Sequence, residues 1–134
     1  MYNKWMPDKL NEGDILMTSE APLGEFYFIL IDTKYCLSQR LYAVRADQNT
    51  VLPTYLYFEL SKGHGISQIM GSQSGSTVFG MRQDDLRKVK IIVPNMNVQK
   101  DYEKTALPIF QKIRILEKKT KNLLLLGTFY SHYL

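Results

Sequence analysis

The sequence is poor in the groups that usually do chemistry. It has one cysteine, Cys36, and two histidines, His64 and His132. A single thiol cannot close an intrachain disulfide, which excludes a disulfide-stapled fold and fits a reducing compartment. Neither histidine has a second Cys, His or carboxylate at metal-ligand spacing, so no metal site is expected. Ser72, Ser74 and Ser76 stand near glycines but form no G-x-S-x-G elbow, and no lysine occupies a P-loop position. Asp84 and Asp85 are adjacent in sequence only and suit the positive end of a helix. No catalytic constellation is visible. Long apolar runs are also missing: residues 26–31 (FYFILI) and 123–126 (LLLL) fall far short of the roughly 20 residues of a membrane span, and no charged-then-apolar leader opens the chain. The expectation is a one-domain cytoplasmic protein.

Positive charge is in small excess, and its location matters more than its size. Of the 17 Lys and Arg and 13 Asp and Glu, residues 1–98 carry ten of each, and residues 99–134 carry seven against three. The excess belongs to the C-terminal third. Bulk charge gives residues 1–98 no attraction for a phosphate backbone, so any binding there must come from local arrangement.

The body reads as mixed α/β. Residues 1–12 read as an irregular lead-in, with Trp5 and Met6 expected to tuck against the body, and residues 11–14 as a turn. Residues 15–17 read as a short strand, 18–24 (TSEAPLG) as a loop, and 25–31 as an aromatic and β-branched strand; together they suggest a hairpin. Residues 37–45 alternate, with Ser38, Arg40, Tyr42 and Val44 on one face and Leu37, Gln39, Leu41 and Ala43 on the other. Pro53 suits the first turn of a helix in which Leu56 and Leu60 recur at i and i+4, ending at Lys62 and Gly63. Another helical turn or two is expected at 66–70, a polar loop at 71–80 (GSQSGSTVFG), a short helix from Gln83 to Leu86, and a strand at 89–93 stopped by Pro94.

The last third alone has a sustained helical period. Tyr102, Ala106, Ile109, Ile113, Leu116, Thr120 and Leu123 alternate spacings of four and three, the rhythm of a coiled-coil seam. The flanks are charged, with Glu117 and Lys121 at i,i+4. Asn97 suits the cap, and Pro108 predicts a kink. Two readings stay open: a seam for a partner helix, or a face packed on the chain's own body.

Hydrogen-bonding side chains gather in two loops, Thr18 and Ser19 in one and Gln73 to Thr77 in the other, with Arg82 following. Such side chains hold phosphates and read base edges, though surface loops carry them routinely.

Several ordered segments add a resemblance. GDILMTSEAPLG (13–24), LSQRLYAVR (37–45), PTYLYFEL (53–60), GSTVFGMRQDDLRKVKIIVP (75–94) and a following Gln99-Lys100 that opens a long helix resemble the target recognition domain and adjoining helix of the DNA specificity (S) subunit of Type I restriction-modification enzymes. The resemblance implies a small twisted sheet with short helices over residues 1–95, reading one half of a split DNA target, and a spacer helix over 96–134 that pairs with another helix. It also implies a subunit without catalysis of its own: S-adenosylmethionine, ATP and Mg are expected on partner modification and restriction subunits. The full subunit has two recognition domains and two spacer helices, whereas this sequence has one of each and lacks the family's segment before the GDIL-like strand. A homodimer or second half-subunit is therefore expected through the helix. The residues expected to face double-stranded DNA are Thr18, Ser19, Gln39, Arg40, Gln73, Ser74, Ser76, Thr77 and Arg82. The alternative is an assembly module that works through its helix without independent DNA binding.

Overall fold

The computed structural model describes residues 9–30, 36–72 and 80–133, with side chains to residue 127. The body is built on strand β1 (Ile15–Thr18), in which the fully buried Ile15 and Met17 alternate with the half-buried Leu16 and Thr18. That period of two puts one face of the strand in the core. β1 lies between β2 (Phe26–Phe28) and β3 (Leu41–Val44), antiparallel to both. Ile15 stands opposite Phe28 and Val44, and Met17 opposite Phe26 and Tyr42, so these six side chains share the core face. The opposite face carries a smaller apolar cluster of Leu10 and Ile29 with Leu16, Tyr27 and Leu37.

The expected hairpin is present. Its seven-residue connection is tied by Thr18, whose hydroxyl accepts from the Glu25 N–H at 3.0 Å and donates to the Pro22 carbonyl. Gly24 there has φ +78°, the left-handed region that favours glycine. The other expected strand, at 37–45, is confined to Leu41–Val44. The Leu41 N–H turns back to the Ser38 carbonyl at 3.1 Å, which leaves Gln39 and Arg40 at the corner of a turn. Beyond β3, the Arg45 guanidinium bonds both oxygens of the buried Asp14 carboxylate at 2.7 Å and locks the strand's end to the turn before β1.

Helix α1 (Pro53–Ser61) begins at Pro53 and buries Leu56 and Leu60 against the sheet, as their spacing predicts. Helix α2 (His64–Gly71) follows after Gly63, where a Cβ would come within 2.8 Å of the Glu59 Cα, closer than side chains sit. The short helix α3 (Gln83–Leu86) has Asp84 and Asp85 in its first turn, as expected.

Residues 89–93 differ from expectation, because they make no ladder with a strand. Side chains serve their backbone instead. Gln68 accepts from the Lys90 N–H at 3.0 Å and donates to the Lys90 carbonyl at 2.6 Å, and the buried Glu59 carboxylate accepts from the Ile92 N–H at 3.1 Å.

Helix α4 (Met96–Tyr133) is 38 residues long, about 57 Å at 1.5 Å per residue. It starts at Met96, as the 96–134 bound expected, but its cap is two residues before the expected Asn97: the Asn95 side chain accepts from the Val98 N–H at 3.1 Å, and Asn97 already lies within the helix. The helix continues through Pro108. Its inner face is Gln99, Tyr102, Glu103, Ala106 and Phe110, recurring at three and four residues. The Phe110 ring stacks on Phe28 and meets Tyr57 edge-on, both at 5.2 Å between centroids, while Tyr102 meets Tyr55 and Phe58 at 5.6 Å. Past that face, the Arg114 guanidinium sits 5.5 Å from the Tyr27 ring centroid and pairs with Glu117 at 3.2 Å. Glu117 thus meets Arg114 one turn before it, where the sequence suggested Lys121 one turn after.

Gln99 is buried at this junction with 1% exposure. Its Oε1 accepts from the Leu52 N–H at 2.8 Å, and its Nε2 donates to the Pro94 carbonyl at 2.8 Å and the Thr50 carbonyl at 3.2 Å. Gln99→Leu keeps the volume but strips the Leu52 N–H and the Thr50 and Pro94 carbonyls of their partner, and a hydrogen bond left unmade out of water costs about 1–3 kcal/mol. We expect a loss of about 3 kcal/mol in urea unfolding, against a change under about 0.5 kcal/mol for the exposed neighbour Lys100→Leu.

Candidate nucleic-acid interface

Three chain segments meet at one end of the sheet. Thr18, Ser19 and Glu20 leave β1 there, Arg40 enters β3, and Gly80, Met81 and Arg82 lead into α3. Their backbones are tied together: the Ser19 N–H donates to the Arg40 carbonyl at 2.9 Å, the Met81 N–H donates to the Ser19 carbonyl at 2.7 Å, and Glu20 and Gly80 form an isolated antiparallel bridge. The Tyr42 hydroxyl closes the group by donating to the Met81 carbonyl at 2.8 Å. Residues about 20 and 40 positions apart in sequence are thereby held on one short edge.

Two cations stand on that edge. The Arg40 side chain is 76% exposed and pairs with Glu20 at 2.8 Å; Arg82 is 86% exposed and pairs with Asp85 at 3.1 Å. Exposed pairs of this kind contribute about 0–1 kcal/mol. Either guanidinium can therefore exchange its carboxylate for another anion at small cost. Asp85 also bonds Lys88 at 3.0 Å, and hydrogen bonds from Lys88 and Arg82 hold its carboxyl below the usual carboxylate range.

The other expected residues fall differently. Gln39 is exposed at the turn beside Arg40. Ser19 is buried and contributes its backbone, and the Thr18 hydroxyl is spent within the hairpin. Gln73, Ser74, Ser76 and Thr77 lie outside the described residues. Sequence reasoning overlooked Glu20 and Tyr42. Glu20 directly follows Ser19 in the same loop, which was a usable signal; the Tyr42 contact with Met81 spans 39 residues and had none.

The helix seam divides in two. Tyr102 and Ala106 are covered by the chain's own body through α1, whereas Ile109, Ile113, Leu116 and Leu123 are 54%, 47%, 52% and 68% exposed. Thr120 lies between them with its hydroxyl donated to the Leu116 carbonyl at 2.9 Å. Ile113, Leu116, Thr120 and Leu124 line a shallow groove along this stretch.

Among the described residues no three His, Cys, Asp or Glu side chains gather as metal ligands, and no helix is long and apolar enough to cross a membrane. The arrangement is that of a small mixed α/β body presenting cations and backbone at one sheet end and carrying a long helix with an open apolar stripe. The chain belongs to the family of Type I restriction modification DNA specificity domains, whose model matches residues 8–125. It is a specificity domain and not a catalytic one. In fold it is similar to a chain from a solved structure of a type I R-M system, described for its complex assembly and conformational transition, with a TM-score of 0.53 and 20% identity. That likeness covers 85% of this chain and 27% of the other. None of the curated proteins matches the chain.

The tie between Tyr42 and Met81 is open to a direct check. Tyr42→Phe removes one hydrogen bond, with an expected loss of about 1 kcal/mol. Hydrogen exchange at the Met81 amide should quicken while the buried Ile15 amide changes only with global stability.

Proposed function

We propose that this domain reads one half of a bipartite double-stranded DNA target and docks, through its helix, onto a second specificity half. The observation that supports this best is the sheet end where Arg40 and Arg82 stand on exchangeable ion pairs beside the exposed Gln39. An exposed guanidinium held at a fixed backbone position suits phosphate contact or bidentate contact to guanine. Gln73, Ser74, Ser76 and Thr77 precede Gly80 in sequence, and we include them in the reading surface. In this reading residues 1–95 recognise and residues 96–134 space and assemble. Methyl transfer from S-adenosylmethionine and ATP- and Mg-dependent cleavage belong to the modification and restriction subunits, in the cytoplasm.

Co-expression with the modification subunit of its host, followed by methylation sequencing, tests the reading. A symmetric, duplicated half-site should become modified, and no new methylation would count against it. On the duplex so identified, Arg40→Ala or Arg82→Ala should weaken binding by about 1–3 kcal/mol, read by fluorescence anisotropy. Unchanged affinity removes that residue from the surface.

The open stripe on α4 supports a helix partner, and a second copy of this chain is the simplest one. Placing lysine at both Ile113 and Leu116 should leave unfolding of the body unchanged, since both are exposed, while converting an oligomer to monomer in analytical ultracentrifugation. If oligomerisation persists, the seam lies elsewhere. The same helix would serve an assembly module without DNA competence, and the anisotropy measurement separates the two.

A further inference from the structure

Among the described residues, strand β3 has a neighbour on one side only. In its ladder with β1 the Ser19 N–H bonds the Arg40 carbonyl, and Met17 and Ile15 stand opposite Tyr42 and Val44. Antiparallel alternation then points the N–H and C=O of Arg40, Tyr42 and Val44 toward β1 and those of Ala43 away from it. Ala43 is exposed, and its outward N–H and C=O have no hydrogen-bond partner among the described residues.

The apolar surface does not stop at this edge. A groove of about 780 Å³ is lined by β3 on one side, by Leu56 and Leu60 of α1, and by Leu86, Val89 and Ile91 on the stretch that leaves α3. Its lining also holds Lys9, Arg45 and Arg87 against a single carboxylate, Asp14, which Arg45 already engages; Arg87 makes only a long, exposed pair at 3.9 Å with Asp84 outside the groove. A bare strand edge beside an apolar trough invites another strand. The surplus of cations selects carboxylates on it.

We propose that this groove receives an extended, carboxylate-bearing segment of another polypeptide, which adds to β3 as a fourth strand. Its backbone would bond both outward groups of Ala43. Its side chains opposite Tyr42 and Val44 would drop onto Leu56, Leu60 and Leu86, which requires apolar residues at alternate positions. Its carboxylates would lie near Lys9 and Arg87. This surface adjoins the sheet end proposed to meet DNA, with Tyr42 common to both, but its argument does not depend on that reading.

The test uses the full chain labelled with nitrogen-15 and a capped heptapeptide of alternating valine and threonine with aspartate at both ends. Saturable shifts should centre on Ala43, and exchange of its amide should slow on the order of tenfold. The same peptide N-methylated at alternate amides should not bind, and one ending in lysine should bind roughly three- to fivefold more weakly. Because these controls alter the probe, no variant has to fold. An Ala43 amide already protected in the free chain would overturn the proposal, since the chain would then cover its own edge. Equal binding by the N-methylated peptide, shifts confined to the Ile113 to Leu123 stretch of α4, or no saturable binding would overturn it as well.

Discussion

One buried amide holds the two parts of this molecule in register. Gln99 reaches from the first turns of α4 to the N–H that opens α1, to the Thr50 carbonyl before it and to the Pro94 carbonyl behind it. The alternatives fail for identifiable reasons. Glutamate has no donor for the two carbonyls and would bring a charge into a site with 1% exposure, and asparagine is one methylene short. With the amide in place, Tyr102 and Phe110 arrive beside the aromatic residues of α1 and β2. The core and the helix are one packed unit because this polar group is fully used.

Side chains substitute for backbone elsewhere too. Gln68 bonds Lys90 on both its N–H and its C=O as a neighbouring strand would, and Glu59 takes the next inward amide at Ile92. Asp14 and Arg45 close the other end of the sheet. A three-stranded sheet has few ladder positions to offer, so much of the surrounding chain is organised by long polar side chains placed on helices.

These substitutions explain what could be read from the sequence. The period of Leu56 and Leu60, the proline at the start of α1, the short strand β1 and the hairpin are local signals, and the structure follows them. The run at 89–93 has strand composition, but a strand also needs a distant ladder partner, which composition does not encode. The seam rhythm from Tyr102 to Leu123 is a property of one helix and says nothing of whose surface covers it: the first two positions meet the chain's own body and the later ones face outward. At the candidate interface, Arg40 and Arg82 were legible as exposed cations near loops. The burial of Ser19 was not, because it follows from backbone bonds to Arg40 and Met81 that join distant segments. The same holds for the Tyr42 contact.

Pro108 sits within the stretch of α4 that the body holds, between Ala106 and Phe110. Its missing N–H weakens one turn, but the stacked ring of Phe110 and the Arg114 contact on Tyr27 lie beyond it and splint the helix from outside. The free part of α4 is therefore a shaft clamped at its base, and it carries rotation as faithfully as distance. One residue inserted beyond Arg114 would advance the stripe by about 1.5 Å but turn it by roughly 100° relative to the sheet end. An insertion of four residues would lengthen the shaft by about 6 Å while nearly restoring its angular phase. Length and phase are thus coupled in this fold, and only insertions close to whole helical turns leave the body and the stripe facing as they do now.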